Sequence, residues 1–509
     1  MDTLFYKLMY DKRLKRGITI LEMLYRAKHD ITIKDLEETL KISKKTVLTT
    51  LEFMGTLLPP TLSLFVTEKS VQLRNSGNQS IDTAVIEIAK QTISYQVLRH
   101  VFYDGDLNIR ELAEKLYISE STLRTRISHM NKTLRIFGCK LSFYDVKLIG
   151  NETNIRYFYY AYLSECQELF ISDCEDKLRY CSGIYENMKV MLEQHEGKVL
   201  NYSYQQITRW LLITRDRMEL GKFVRVKPEI MRRVQVRDSY HIFKNVYESE
   251  LIQEFENLKI PESEVVWAYV VSFNSIIYLN NQEDKILYHD EPDNEAEKEK
   301  ISVILEKMIK ALNIQECDKG DFLTMHMAYL LNLSLLTKIS PIFQLGAAYV
   351  RGYVVNTLEG LYAAWFQCLS SLNSADLFQI SNIQSMSAQL AMISSPFIYR
   401  QETRAEKILY SFEGESGFPV YLEELARTLL PKGIEGVFVY NEPITAALLE
   451  QIQPDIIVCN YQPYEKILGH KVLRMSYIPQ IQEWTLLREL IINSKSKYPV
   501  EIDDRYLSL

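Results

Sequence analysis

Two stretches of the chain repeat one pattern of apolar and polar positions. "TIKDLEETLKISKKTVLTTL" (32–51) and "NIRELAEKLYISESTLRTRI" (108–127) lie 76 positions apart, and their apolar residues coincide at Ile33/Ile109, Leu36/Leu112, Leu40/Leu116, Ile42/Ile118 and Val47/Leu123. Ser43 also falls on Ser119, and Thr46 on Thr122. Apolar residues four apart predict a short helix, and the Ile-Ser pair predicts a break. The serine suits an N-cap, because its hydroxyl accepts from a backbone N–H two or three residues further on, and a second helix then begins. In the later copy Leu123, Ile127, Met130 and Leu134 share one face, which turns Ser121, Arg124, Thr125, Ser128 and Lys132 outward. Ser119, Thr122 and Arg126 are expected to work with them. The earlier copy displays Lys44, Lys45, Thr49 and Glu52, with Leu48 nearby. Each pair is followed by a candidate two-stranded wing, "LSLFVTEKSVQLRN" (62–75) and "CKLSFYDVKLIGN" (139–151). Helix, tight turn, helix and hairpin is the order of a winged helix-turn-helix, in which the second helix enters the major groove.

From about 166 to 400 the pattern changes to long helical periodicity, with breaks predicted at "YHDEPDNEAEKEK" (288–300) and "SSPFIYRQETRAEK" (394–407). A fainter repeat, at a shift of 57, lays "EVVWAYVVSF" from Glu264 over "DFLTMHMAYL" from Asp321 and places Tyr269 over His326. Phe322, His326, Tyr329 and Leu333 share a helical face, where a histidine is commonly a satisfied core residue. A neutral imidazole can also accept a phosphoryl group, which makes His326 the phosphoacceptor candidate. Past residue 404, the β-rich runs "KILYSF", "EGVFVY" and "DIIVCN" alternate with the helical segments "PVYLEELARTLL" and "PITAALLEQI", and "IQEWTLLRELIIN" closes the chain. That alternation predicts a small parallel α/β domain.

Charge sharpens this division. Residues 1–150 carry 23 lysines and arginines against 17 acidic residues, while 151–509 carry 36 against 49, so a basic arm precedes an acidic body. Phosphates attract the first and not the second. Seven scattered cysteines without a C-x-x-C pair argue against both a disulfide framework and a zinc site, and read as reduced thiols. The N-terminus has no signal-peptide pattern, and the apolar run "MAYLLNLSLL" is short of the roughly 18 residues that suggest a span. A cytoplasmic protein with no membrane partner, no metal and no cofactor is expected. No P-loop and no nucleophile with an adjacent base is visible, so an enzyme is not expected.

"LYISESTLRTRISHMNK" (116–132) followed by "VKLIGNETNIRYFYYAYLSE" (146–165) resembles the second DNA-binding segment of the Mga/AtxA class of virulence regulators. The resemblance implies a mainly α multidomain fold: winged helix-turn-helix domains over 1–76 and 77–165, helical PRD-like phosphotransferase-system modules over 166–287 and 288–400, and an enzyme IIB-like α/β domain over 401–509. It also implies double-stranded DNA as partner, a homodimer formed through the last domain, and phosphocarrier protein HPr acting on the helical modules. Departures are visible. Tyr204 and Tyr269 stand where relatives carry histidine in the first module, and His195, His241 and His289 are weaker acceptor candidates. "YSFEGESG" has no cysteine after the first strand, and Cys459 sits in a later one, so phosphotransfer by the last domain is not expected. The competing classes are a phosphotransferase-system component and an RNA-binding antiterminator. The former would need the missing cysteine, and the latter would begin with a small β domain.

Overall fold

The computed structural model describes residues 4–27, 30–76, 81–103, 107–165, 175–196, 203–254, 259–272, 277–278, 286–287, 295–346, 350–372, 377–401, 407–414, 417–429, 435–461 and 470–496. Cys166, Cys174, His289 and most of the expected break at 288–300 lie outside them. Its contacts divide the chain into two units: Met1–Ile301 with Met327–Gly352 and Ser374–Met386, and Ser302–His326 with Tyr353–Asn373 and Ser387–Leu509.

The first unit opens with the sequence repeat realised in three dimensions. Helices Ile33–Leu40 and Lys44–Gly55 form the first pair, Ile109–Lys115 and Glu120–Leu134 the second. Each pair starts from a capping box, Thr32 with Asp35 and Asn108 with Glu111, which satisfies two orphan N–H groups reciprocally. Each second helix is capped by its serine: Ser43 accepts from the Thr46 N–H (3.3 Å) and Ser119 from the Thr122 N–H (3.2 Å). The turns between helices are made at Lys41 (φ 53°) and Tyr117 (φ 54°), which are equivalent positions in the left-handed region. That conformation lets Ile42 N–H reach the Glu37 carbonyl and Ile118 N–H the Ala113 carbonyl. The first core is Ile20, Leu24, Ile33, Leu36, Val47, Leu51 and Val71, and Ile109, Leu112, Leu123 and Ile127 are buried at the repeated positions.

The wings differ. Strands Leu62–Val66 and Ser70–Asn75 form one antiparallel hairpin, onto which Ile31–Thr32 adds a third strand. In the second copy the expected hairpin is shorter: Lys140–Leu141 pairs with Leu148–Ile149, the Ser142 N–H donates to the Lys147 carbonyl (3.0 Å), and Leu107–Asn108 adds to Asp145–Val146 as Ile31–Thr32 does in the first copy. Asn131 explains part of this, since its buried amide accepts from the Leu141 N–H (2.6 Å) and donates to the Leu141 carbonyl (2.9 Å). It pins one strand to the second helix.

Helix Glu152–Glu165 follows, and then helices Glu175–Glu196, Tyr204–Glu219, Pro228–Gln235, Asp238–Glu254 and Glu262–Ser272 around buried Trp210, Phe243, Tyr247, Trp267 and Tyr269.

In the second unit, the break predicted over 394–407 begins within a helix, which ends at Gln401; residues 402–406 lie outside the described residues and a strand starts at Lys407. Helix Ile383–Gln401 runs through Pro396. Proline removes the N–H that would bond the Met392 carbonyl, and the Ser395 hydroxyl donates to that carbonyl instead (2.9 Å). The chain from Lys407 forms a parallel four-stranded sheet, with Lys407–Phe412 between Glu435–Tyr440 and Ile456–Cys459, and Lys471–Arg474 beyond the latter. One face packs Ile408, Tyr410, Phe412 and Val458 on Leu422, Trp484 and Leu487; the other packs Leu409, Ile457 and Cys459 on Ile444 and Ile452. Burial on both faces is why these strands read as continuous apolar runs. The one helix long and apolar enough to cross a membrane among the described residues, 316–339, is more than half buried inside the protein.

Candidate DNA-binding surface

The second helices present polar faces as their spacing predicts. Lys44, Lys45, Thr49 and Glu52 are exposed on the first; Ser119, Ser121, Arg124, Thr125, Ser128 and Lys132 are exposed on or at the start of the second. Val47, Leu51, Leu123 and Ile127 are the buried counterparts that fix each helix's rotation. Thr122 is half-buried, and its hydroxyl lies 2.8 Å from that of Ser119, so it reinforces the cap.

The two arginines of the second helix separate. Arg124 stays on the outer face, where its guanidinium donates to the Phe143 carbonyl in the wing (3.3 Å) and pairs loosely with Glu120 (3.9 Å). Arg126 is half-buried on the helix flank, with its guanidinium 4.1 Å over the Tyr10 ring. Two residues along a helix is a rotation of about 200°, enough to move it off the face that Arg124 holds. His129, one turn on, has Nε2 3.0 Å from the carbonyls of both Lys7 and Met9. That flank therefore holds the amino-terminal segment.

Three exposed groups escaped the sequence reading. Arg13 reaches across from the preceding helix to donate to the Thr49 carbonyl (2.7 Å) and covers Phe53 (4.2 Å). Tyr117 is 95% exposed in the turn and Tyr144 85% exposed between the wing strands. Only the equivalence of Lys41 and Tyr117 in the repeat pointed to the turn.

Glu152 and Arg156, the charged residues of the "IGNETNIR" stretch, build a buried ion network with the helices that follow. Arg156, wholly buried, makes a two-pronged pair with Glu264 (2.8 and 3.0 Å) and donates to the Lys222 carbonyl (2.8 Å). Glu152 accepts from Arg156 (3.2 Å) and from both arms of Arg217 (2.8 and 2.9 Å). Burial holds the Glu264 carboxyl above its usual range, against the pull of Arg156. Tyr160 stacked on Trp210 (4.2 Å) joins the same elements.

In the second unit His326 is wholly buried, not displayed. Nδ1 lies 2.7 Å from the Phe322 carbonyl and Nε2 2.8 Å from the Ser394 hydroxyl, which accepts in turn from the Trp365 indole (2.8 Å). Those partners assign the proton to Nδ1, with Nε2 accepting from Ser394. Burial pushes the imidazole pKa down to about 4. Both nitrogens are engaged and no ring atom meets solvent, so a phosphoacceptor role requires the helices to part. Its counterpart Tyr269 is equally buried, and its hydroxyl lies 2.7 Å from that of Ser239. Tyr204, His195 and His241 are exposed. Cys459 is buried at a strand end and burial raises its thiol, the opposite of what a nucleophile needs. Among the described residues no cluster of side chains is arranged to hold a metal ion.

Two capped helix pairs followed by short antiparallel strands, each showing a polar second helix, have the order of elements of a winged helix-turn-helix. Residues 77–163 match the Mga helix-turn-helix domain, and the chain is similar to regulators of the Mga/AtxA type. It is 27% identical over 146 residues to the capsule synthesis positive regulator AcpA of Bacillus anthracis, 28% of this chain and 30% of that protein. To the anthrax toxin expression trans-acting positive regulator of the same organism it is 23% identical over 144 residues, 28% of this chain and 30% of that protein. A relative in Streptococcus pneumoniae is 24% identical over 220 residues, 43% of this chain and 44% of its own length. The chain thus spans less than half the length of the curated relatives it matches.

Proposed function

We propose that this chain is a DNA-binding transcription regulator, an activator, that engages duplex DNA through both winged units. The observation that carries the reading is the duplicated, capped second helix with its outer face free: Lys44, Lys45 and Thr49 in one unit, Ser121, Arg124, Thr125, Ser128 and Lys132 in the other. Hydroxyls and cations of this kind bond phosphates and base edges. The matching family and the positive regulators among its relatives support the direction of control, and they are regulators rather than enzymes. The reading places the protein in the cytoplasm, with the five-part layout over 1–76, 77–165, 166–287, 288–400 and 401–509.

Dimerisation through the last domain belongs to the same proposal. Its support is an apolar surface: Tyr477, Ile478, Ile481, Leu486 and Leu490 are all more than a third exposed on and before the closing helix Ile481–Ser496. Exposed apolar side chains on one element favour a two-fold contact. Control by phosphocarrier protein HPr at His326 needs an opened state of the helical region. Incubation with phosphoenolpyruvate, its phosphotransferase and HPr must label the wild type and spare His326→Ala for that control to stand.

Binding to labelled duplex DNA, against an RNA hairpin of equal length, tests the main reading. The wild type is expected to prefer the duplex, and the double variant Arg124→Ala/Lys132→Ala to lose at least tenfold in affinity. Equal affinity for RNA, or a double variant that binds like wild type, overturns it.

A further inference from the structure

At the junction of the two winged units lies a half-open cavity of about 210 Å³. Its apolar wall comes from Met9, Leu14, Phe53, Leu57 and Ile88, and Arg126 closes one side. It therefore touches both second helices: Phe53 lies in the first, Arg126 in the second. The volume exceeds the roughly 150 Å³ chamber that suffices to bind benzene. Unlike such a chamber, it carries a cation. The Arg126 guanidinium is half-buried over Tyr10, and among the described residues no carboxylate pairs with it. Arg13, over the Phe53 ring, adds a second positive charge nearby. The one acidic lining residue, Asp11, is engaged at a helix start, accepting from the Arg13 and Leu14 N–H groups (2.8 and 3.1 Å).

We propose that this cavity is an effector site for a small organic monocarboxylate with a compact apolar body, whose occupancy changes DNA affinity. A planar guanidinium without an anion, set beside an apolar chamber, recognises a carboxylate head while the wall takes the body. The effect on DNA follows from the place. Leu14, Phe53 and Leu57 line it from the first unit, Ile88 and Arg126 from the second, and the segment carrying Met9 is held by His129 of the second, so a bound molecule bears on the spacing of the two second helices. The coupling to DNA rests on the function proposed above; the binding itself does not.

The test uses the full chain and 4-fluorobenzoate, followed by fluorine NMR without DNA. Saturable binding is expected, at least tenfold weaker for the neutral 4-fluorobenzyl alcohol. Arg126→Met should weaken 4-fluorobenzoate at least tenfold by removing the charge, and Leu57→Trp should abolish binding by filling the chamber. No saturable binding, no preference for the anion, or equal binding in both variants overturns the site. In a second arm, saturating 4-fluorobenzoate should change duplex affinity at least threefold in the wild type and not in Leu57→Trp. An unchanged affinity in a wild type that binds both molecules overturns the coupling. A wild type that binds no DNA at all overturns the function, while the NMR arm stands apart.

Discussion

At the residue scale, the same side-chain type does different work according to what lies beside it. Arg124 and Arg126 are two positions apart, yet one is braced between Glu120 and the wing and the other lies over Tyr10. Arg124→Ala should therefore weaken duplex binding by roughly 1–3 kcal/mol, more than Arg126→Ala does, because only the former stands on the exposed face proposed to meet DNA. Fluorescence anisotropy on a labelled duplex at fixed salt checks the order; the reverse order puts the wrong face on the DNA. The amphipathic spacing that exposed Arg124 was legible in the chain. The fate of Arg126 was not, because a flank residue is decided by whichever distant segment packs there, here the amino terminus.

His326 is a second case. The unfolded chain takes up a proton on this ring near the ordinary 6.5, and the folded chain only near 4, so the unfolded state binds more protons in between. The stabilisation is complete above pH 6.5 and is lost as pH falls towards 4, by about 3 kcal/mol in all. In urea melts, the stability gap between wild type and His326→Gln should narrow as the pH is lowered from neutrality. A constant gap means the ring is not buried in its neutral form.

At the element scale, the ion network ties helix Glu152–Glu165 to helices Tyr204–Glu219 and Glu262–Ser272. A buried pair contributes little over an apolar one, but breaking it strands a charge without water. Glu264→Ala should cost about 3–5 kcal/mol by leaving Arg156 unpaired, while the double variant Glu264→Leu/Arg156→Leu recovers most of the loss. Trp267, 5.8 Å from the Arg156 guanidinium, gives the fluorescence signal for the melts. A double variant no more stable than Glu264→Ala contradicts the account. The resemblance had marked this stretch as distinctive, but nothing in its local pattern told which carboxylate, 108 residues away, its arginine would meet.

The turns at Lys41 and Tyr117 make a related point. Side chains other than glycine strain in the left-handed region by about 1–2 kcal/mol, partly offset by the entropy glycine would lose. Tyr117→Gly should thus change stability by less than about 1 kcal/mol, while Tyr117→Val, β-branched there, destabilises clearly. Thermal melts of the two variants separate these outcomes.

At the scale of the whole molecule, a basic arm and an acidic body divide the labour. The proposed dimer, with four winged units, predicts a long footprint and a steep fall of affinity with salt, near 0.9 decades per decade of salt for each phosphate neutralised. A variant ending near residue 400 should run as a monomer in light scattering and lose much of that steepness. Unchanged dimerisation moves the contact elsewhere. Within the break predicted over 394–407, Pro396 does not itself end the helix, since one neighbouring hydroxyl takes up the carbonyl it leaves and the helix runs on to Gln401.

The sequence alone determined what is periodic and local: the duplicated helix pairs, their serine caps, the outward faces, the alternation of strand and helix at the end, and the split of charge. These follow from nearest-neighbour backbone chemistry and from which side of a helix or strand is apolar. Tertiary structure alone decided which flank Arg126 occupies, that His326 is sealed between Phe322, Trp365 and Ser394, and that Arg156 meets Glu264. Each depends on segments distant along the chain arriving at one place, and burial then sets whether a charge is displayed, paired or suppressed.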